Sequence, residues 1–213
     1  VLQPQFRGSE GFGDKLLKAG YGEWGRKMQS DLQDGIKILT RMKAVDPARV
    51  CIVGASYGGY AALAGMALEP GTYRCAVAVA GISDVNKWLC SMAPQASRQG
   101  RAVRYWRRYA GAKSLQDPVI EQISPIEHVR DVKDPILLMH GKDDSVVPRE
   151  QTLLMHKALQ RAKKDVRYVE LEGEDHWFSR TATRLKMLEE TVKFVESHIA
   201  PANAAQANLP ATP

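Results

Sequence analysis

The 213-residue chain predicts an α/β domain built on a mostly parallel sheet, and three observations carry that reading. Apolar runs of strand length occur at 49–53, 75–80, 135–140 and 166–171, each close to a glycine or proline. Between them lie segments whose apolar residues recur at helical spacing. Alternation of this kind calls for parallel strands joined by right-handed crossovers, with helices covering the sheet.

In chain order, residues 1–6 form a candidate fifth strand, and Leu32, Ile36, Leu39 and Met42 give a helical stripe that ends before Pro47. The strand at 49–53 is followed by residues 60–68, Tyr-Ala-Ala-Leu-Ala-Gly-Met-Ala-Leu, which read as a buried helix. Residues 81–134 interrupt the alternation and are long for a crossover, so extra helices are expected there, above the strand ends where substrate enters. Leu153, Leu154 and Ala158 predict a helix after Pro148, and Leu185, Leu188, Val192, Val195 and Ile199 predict the last one. Residues 201–213, rich in alanine, asparagine and proline, read as a frayed tail, so residues 1–200 form one domain. No internal repeat is visible.

With 44% hydrophobic and 25% charged residues, the chain has enough apolar content and length for a sizeable core. No stretch of about 18 apolar residues is present, and the first residues, Val1-Leu2-Gln3-Pro4, lack the pattern of a signal peptide. The chain opens on Val1 without an initiator methionine and is read as part of a longer polypeptide, so its compartment is undecided. Cys51, Cys75 and Cys90 form no C-x-x-C pair and are read as inert core thiols; no zinc pattern accompanies them. The net charge of +6 is concentrated between Ser97 and Leu115, where Arg98, Arg101, Arg104, Arg107, Arg108 and Lys113 occur without an acid. An electropositive surface for nucleic acid competes here with the solvated side of a helix whose apolar side carries Val103, Trp106 and Ala110. Helical spacing of the aromatic residues, with no nucleic-acid module nearby, favours the helix.

The chemistry is carried by Gly54-Ala55-Ser56-Tyr57-Gly58-Gly59, set between the 49–53 strand and the following helix. A serine at the apex of a strand–turn–helix elbow occupies a strained backbone conformation, and glycines on either side let the helix pass close by. A serine hydroxyl needs a neutral imidazole to take its proton, and a buried carboxylate to orient that imidazole. Of the five histidines, His156 and His198 fall on predicted helices, His128 in a polar stretch, and His140 at a strand end as a structural residue. His176 stands on a loop just past the last strand, where an α/β sheet presents its reactive groups. The acid comes from the loop after the 135–140 strand, where Asp143 and Asp144 are both candidates. The order serine, aspartate, histidine is that of the α/β-hydrolases.

These residues resemble the catalytic domain of the prolyl oligopeptidase family of serine peptidases, over almost the whole chain. Gly54-Ala55-Ser56-Tyr57-Gly58-Gly59 is similar to the family's G-x-S-Y-G-G elbow, and Ser124-Pro125 with 135–141 is similar to its approach to the acid. The resemblance implies an α/β-hydrolase fold lacking its first strands. It also implies Asp144 rather than Asp143 as the acid, His176 as the base, and the Tyr57 amide in the oxyanion hole. A second oxyanion donor, from a more N-terminal loop outside this chain, and an N-terminal β-propeller are implied for the parent protein. An isolated fragment is then expected to be impaired, with one sheet edge unpaired and apolar surface exposed. No metal or organic cofactor is implied. Peptides are the expected substrates, with carboxylesterase activity or a non-catalytic binding role on the same scaffold as the rival readings. Tyr57, Trp88 and Val146 are candidates for lining the substrate pocket, against a core position for Trp88. Ser145, Val146 and Val147 stand where some family members carry a substrate-anchoring arginine, which argues against strict proline or acyl-amino-acid preference.

Overall fold

A computed structural model describes residues 1–92 and 100–200; the predicted tail at 201–213, together with Ser97 and Arg98 of the basic stretch, lies outside the described residues. Helix α1 (Asp14–Lys18) and helix α2 (Lys27–Arg41) precede the sheet. Strand β1 (Cys51–Ala55) leads into α3 (Tyr57–Ala67), and β2 (Cys75–Val79) into three short helices, α4 (Val85–Ser91), α5 (Arg101–Tyr109) and α6 (Val119–Gln122). Strand β3 (Ile136–Gly141), α7 (Glu150–Arg161), β4 (Val166–Leu171) and α8 (Thr181–Ile199) complete the order.

The four strands are all parallel and lie in the order β1-β2-β3-β4, with Val53 opposite Val77, Val77 opposite Leu137, and Met139 opposite Val169. Period-two alternation sends side chains to two faces. On one face Ala76, Ala78, Ile136 and Leu138 pack with Leu63 and Met66 of α3 and with Met155 and Leu159 of α7. On the other, Cys75, Val77, Val79, Leu137 and Met139 meet Phe194 of α8. Strands β2 and β3 are buried on both faces, as the apolar runs Cys75–Val79 and 136–139 demand. The extra helices expected between 81 and 134 are present, and over them spreads a third, aromatic cluster that joins Trp24, Tyr60, Trp88, Val103 and Tyr109. Val103 and Tyr109 of α5 and Ala110 at its C-terminal cap are buried, while Arg101, Arg104 and Arg108 face solvent.

Three expectations are corrected. Residues 1–6 form no strand: Leu2 lies against α2 at Gly35 and Phe6 stacks on Tyr57 at 5.6 Å, so this segment crosses a helix and the elbow instead of pairing along β1. Cys51 and Cys75 are not free core thiols but form a disulfide, because the parallel register puts them opposite each other at the start of β1 and β2, with Cα atoms 4.7 Å apart. Cys90 is free, and exposed rather than core. Helix α8 forms as its periodicity predicts, yet Leu185, Leu188 and Val192 are 51–55% exposed. The helix carries two apolar faces, and the one with Met187, Phe194 and Val195 meets the sheet. On the free edge, Val53 of β1 is 50% exposed as well.

Candidate active site

Ser56 terminates β1 and opens α3 with φ 56° and ψ −117°, a sparsely populated region for a residue bearing a Cβ. Strain of this kind costs on the order of 1–3 kcal/mol and persists only where neighbours enforce it. Here the Ser56 N–H donates to Val79 O at 2.9 Å, tying the elbow to the end of β2. A Cβ on Gly54 would sit 2.3 Å from Gly58 O, and one on Gly59 would sit 2.7 Å from Gly81 Cα. The backbones of strand, helix and the turn after β2 therefore approach too closely for side chains. Gly58 differs from the sequence expectation: a Cβ there meets nothing within 4 Å, so it is the missing side chain of Gly54, not that of Gly58, that permits the close approach. The Tyr57 N–H is the first amide of α3 and has no acceptor within the helix, a donor at the positive end of the helix dipole.

His176 reaches this apex from the loop after β4. Its Nε2 lies 3.0 Å from Ser56 Oγ, and its Nδ1 lies 2.7 Å from Asp144 Oδ2. The structure thus brings together the serine, the histidine and the second of the two candidate aspartates, whereas Asp143 is exposed. Asp144 side-chain oxygens are fully buried. Burial by itself raises the carboxyl's affinity for protons, but donors from His140 and His176, and the amides of Val147 and Val146, outweigh it and hold Asp144 well below the usual carboxylate range. An ionised carboxylate only accepts, so His176 Nδ1 carries the proton and donates, leaving Nε2 to accept from the Ser56 hydroxyl. This arrangement can strip the serine of its proton as it attacks an electrophilic carbon.

The histidine loop is braced by acids that the sequence reading did not single out. Glu174 is fully buried: Oε1 accepts from the Asp175 N–H at 3.1 Å, and Oε2 from the Arg180 N–H at 3.4 Å and the Thr183 hydroxyl. Asp175 accepts from the Trp177 N–H at 2.9 Å and the Ser179 hydroxyl at 2.9 Å. The acid loop docks on this one through the Asp143 N–H, which donates to Glu174 O at 2.9 Å, and Gly141 is required because a Cβ would lie 2.5 Å from that same oxygen. A carboxyl flanking a histidine in Gly173-Glu174-Asp175-His176 was the available signal, but burial of Glu174 depends on where α8 begins.

Of the pocket candidates, Val146 is 42% exposed beside Asp144, and its amide holds the carboxylate. Tyr57 is half-buried against Trp24 and Phe6. Trp88 is only 5% exposed and stacks on Trp24 at 5.7 Å, within the aromatic cluster that also holds Val147. Trp177, which sequence reading passed over, is 77% exposed and stands edge-on to the His176 ring at 5.6 Å. Among the described residues no group of three or more His, Cys, Asp and Glu side chains is arranged to hold a metal ion, and no helix is long and apolar enough to cross a membrane.

The sequence profile of the prolyl oligopeptidase family matches residues 1–202. A dipeptidyl aminopeptidase BIII from Pseudoxanthomonas mexicana is 33% identical over 189 residues, 84% of this chain and 26% of that protein. The acylamino-acid-releasing enzyme of Mus musculus is 26% identical over 93% of this chain and 27% of its own length. Among solved structures, a puromycin-hydrolysing peptidase of Mycobacterium tuberculosis superposes with a TM-score of 0.83 at 27% identity, covering 92% of this chain and 29% of that one. An acylaminoacyl peptidase in complex with Z-Gly-Gly-Phe-chloromethyl ketone gives 0.77 at 25% identity, over 91% and 31%. The chain spans between about a quarter and a third of the length of these relatives. With its parallel sheet, its elbow and a matching profile along nearly its full length, the chain belongs to the prolyl oligopeptidase family and has the α/β-hydrolase fold of those peptidases.

Proposed function

We propose that this chain carries the catalytic centre of a serine peptidase that hydrolyses peptide bonds through an acyl-enzyme. Ser56 is the nucleophile, His176 the general base and then acid, Asp144 the orienting acid, and the Tyr57 amide an oxyanion donor. The observation that carries the reading is the continuous path from Ser56 Oγ through His176 to Asp144, at 3.0 and 2.7 Å, on a strained serine.

The steps follow from that path. The Ser56 hydroxyl gives its proton to His176 Nε2 as Oγ bonds to the carbonyl carbon, and the negative charge that develops on the carbonyl oxygen is met by the Tyr57 N–H. His176, now cationic and stabilised by Asp144, returns the proton to the leaving amine, freeing it and leaving an ester on Ser56. Water, deprotonated by the same imidazole, then bonds to the ester carbon; the bond to Ser56 Oγ breaks, His176 returns the proton to that oxygen, and the acid product leaves. In the full-length protein a second oxyanion donor and a β-propeller that restricts access to short peptides come from segments N-terminal to this chain, as the length of the relatives supports.

The decisive experiment is fluorophosphonate labelling of the full-length protein, with peptide mapping of the adduct. An adduct on Ser56 that vanishes in His176→Ala is expected; a well-folded protein without adduct would leave only a binding role for the scaffold. A panel of matched peptide and ester substrates then separates peptidase from carboxylesterase, since ester turnover without amide cleavage overturns the peptidase reading.

A further inference from the structure

Asp144 is gripped from two sides by imidazoles. His176 approaches Oδ2 from the open side at 2.7 Å, and on the buried side the same oxygen lies 3.2 Å from Nε2 of His140. His140 is fully buried at the end of β3. Its ring has two other partners: Nε2 lies 2.9 Å from Val147 O, and Nδ1 lies 2.7 Å from the hydroxyl of Thr152, which is 2% exposed in the first turn of α7.

These partners set the protonation of the ring. A carbonyl and an ionised carboxylate only accept, so His140 Nε2 carries a proton: its hydrogen bond goes to Val147 O at 2.9 Å, and Asp144 Oδ2 lies against the same N–H at 3.2 Å. In the neutral ring, Nδ1 then accepts from the Thr152 hydroxyl, and every polar atom of the side chain is satisfied. Asp144 Oδ1 is held separately by the amides of Val146 and Val147, each at 2.9 Å. Oδ2, the oxygen that faces His176, is therefore the one His140 controls.

We propose that His140 is a positioning residue for the serine–histidine–aspartate array: a second, buried imidazole that fixes Asp144 Oδ2 against His176, with its own tautomer set by the acceptors at Nε2 and its Nδ1 anchored on Thr152. The proposal rests on the serine hydrolase reading above and adds a fourth side chain to it. Without the His140 donor, Oδ2 is left with His176 alone. The carboxylate gains freedom to turn away from the base, and its negative charge, less neutralised, attracts the protonated form of His176 more strongly. Both effects act through Asp144, since His140 has no exposed surface with which to touch a substrate.

Other titratable groups pack nearby and are engaged elsewhere. Glu170, opposite His140 on β4, is held by Arg149 at 2.8 Å and by the Tyr168 hydroxyl at 2.9 Å. His156, further along α7, packs against Tyr168. Glu174 and Asp175 are satisfied within the histidine loop and at the start of α8. Asp143 is exposed.

The test compares His140→Leu, His140→Asn and His140→Gln in the full-length protein, with fluorophosphonate labelling of wild type as the entry condition. A labelled wild type upholds the serine hydrolase reading; an unlabelled one overturns that reading and this proposal with it. In His140→Leu, kcat is expected to fall about 10- to 100-fold, the loss of one hydrogen bond to a charged group. KM should hardly change, and the acid limb of the kcat/KM profile should move to higher pH. His140→Gln keeps a donor at a reach similar to Nε2 and should restore both kcat and the acid limb, whereas the shorter His140→Asn should behave like His140→Leu. If His140→Leu does not fold, the contrast between Asn and Gln decides. Folded variants that keep wild-type kcat and acid limb, or a Gln variant as impaired as the others with the acid limb unmoved, would overturn the proposal and leave His140 a packing residue.

Discussion

Around Ser56 the chain is held by exclusion, and around His176 by attraction. At the elbow, backbone meets backbone: the Cβ positions of Gly54 and Gly59 fall inside the atoms of Gly58 and Gly81, and little freedom is left for a strained serine to relax. In the histidine loop Gly141 also passes close to Glu174 O, but position is set mainly by carboxylates that collect loop donors, Glu174 from the start of α8 and Asp175 from Trp177 and Ser179. Steric fixation fails abruptly when a single carbon is added. Polar fixation fails in steps as donors are removed, each worth about 0.5–1.5 kcal/mol, or more with a charged partner.

The largest effect expected is at the junction of the two regions. Asp144→Asn should lower kcat by about ten-thousand-fold by disturbing the tautomer of His176, while Asp143→Asn stays close to wild type. Steady-state kinetics on the full-length protein check this, and the reverse result, a severe loss in Asp143→Asn with a mild one in Asp144→Asn, would move the acid by one residue.

Next comes the elbow. Gly54→Ala should destabilise the fold by about 3 kcal/mol, the upper end of overpacking costs, because the added carbon has backbone, not a flexible side chain, in its path. Gly58→Ala, four residues further on and open, should change stability by less than about 1 kcal/mol, in the direction of greater helix propensity. Denaturant midpoints of the two variants test the exclusion argument directly; similar losses for both would remove it.

Strand β1, which delivers the elbow, is fastened to β2 by the Cys51–Cys75 disulfide over a sequence separation of 24. Replacing both cysteines with serine should cost about 3 kcal/mol by loosening the constraint on the unfolded chain. Thermal unfolding with and without reductant measures it, and reductant should leave the double variant unaffected.

In the histidine loop, Glu174→Gln should cost about 1–2 kcal/mol and lower kcat more than it raises KM, since a neutral amide must present a donor where three donors already converge. Thr183→Val, which removes one of those donors, should show a smaller loss of the same kind. A Glu174→Gln protein with wild-type kcat would show that His176 is placed without this brace.

The last effect is in acid stability. Asp144 is held below its ordinary value of 3.8, so the stability contributed by its ionised form is complete above that value and is lost as pH falls below it, towards the folded-state value. Asp31, lowered by its paired bonds from Arg7, adds in the same direction. Acid titration of the fold should therefore be flatter below about pH 4 in Asp144→Asn than in wild type.

Much of this molecule is legible before folding. The four strands, the buried helix after Ser56, and the helices that contain Leu32, Leu154 and Val195 all follow from the period of apolar residues and from glycine and proline at their ends. The local pattern also brings out Ser56, because the elbow is a contiguous motif, and His176, because it directly follows the end of a strand. Between Asp143 and Asp144 local pattern is silent and only the family resemblance selects Asp144; physically, two adjacent carboxylates in one turn differ in which of them points at a histidine 32 residues away. The Cys51–Cys75 bond, the burial of Glu174 and the second imidazole on Asp144 were likewise hidden, since each depends on strand register or on the approach of a distant helix. The exposed Leu185, Leu188 and Val192 make the same point from the other side. Periodicity determines that a helix forms with an apolar stripe, a matter of local backbone geometry and side-chain spacing. Which stripe is buried, and which acids, thiols and imidazoles meet, is decided only when the sheet sets its register and the layers close over it, because those contacts join residues that no local rule relates.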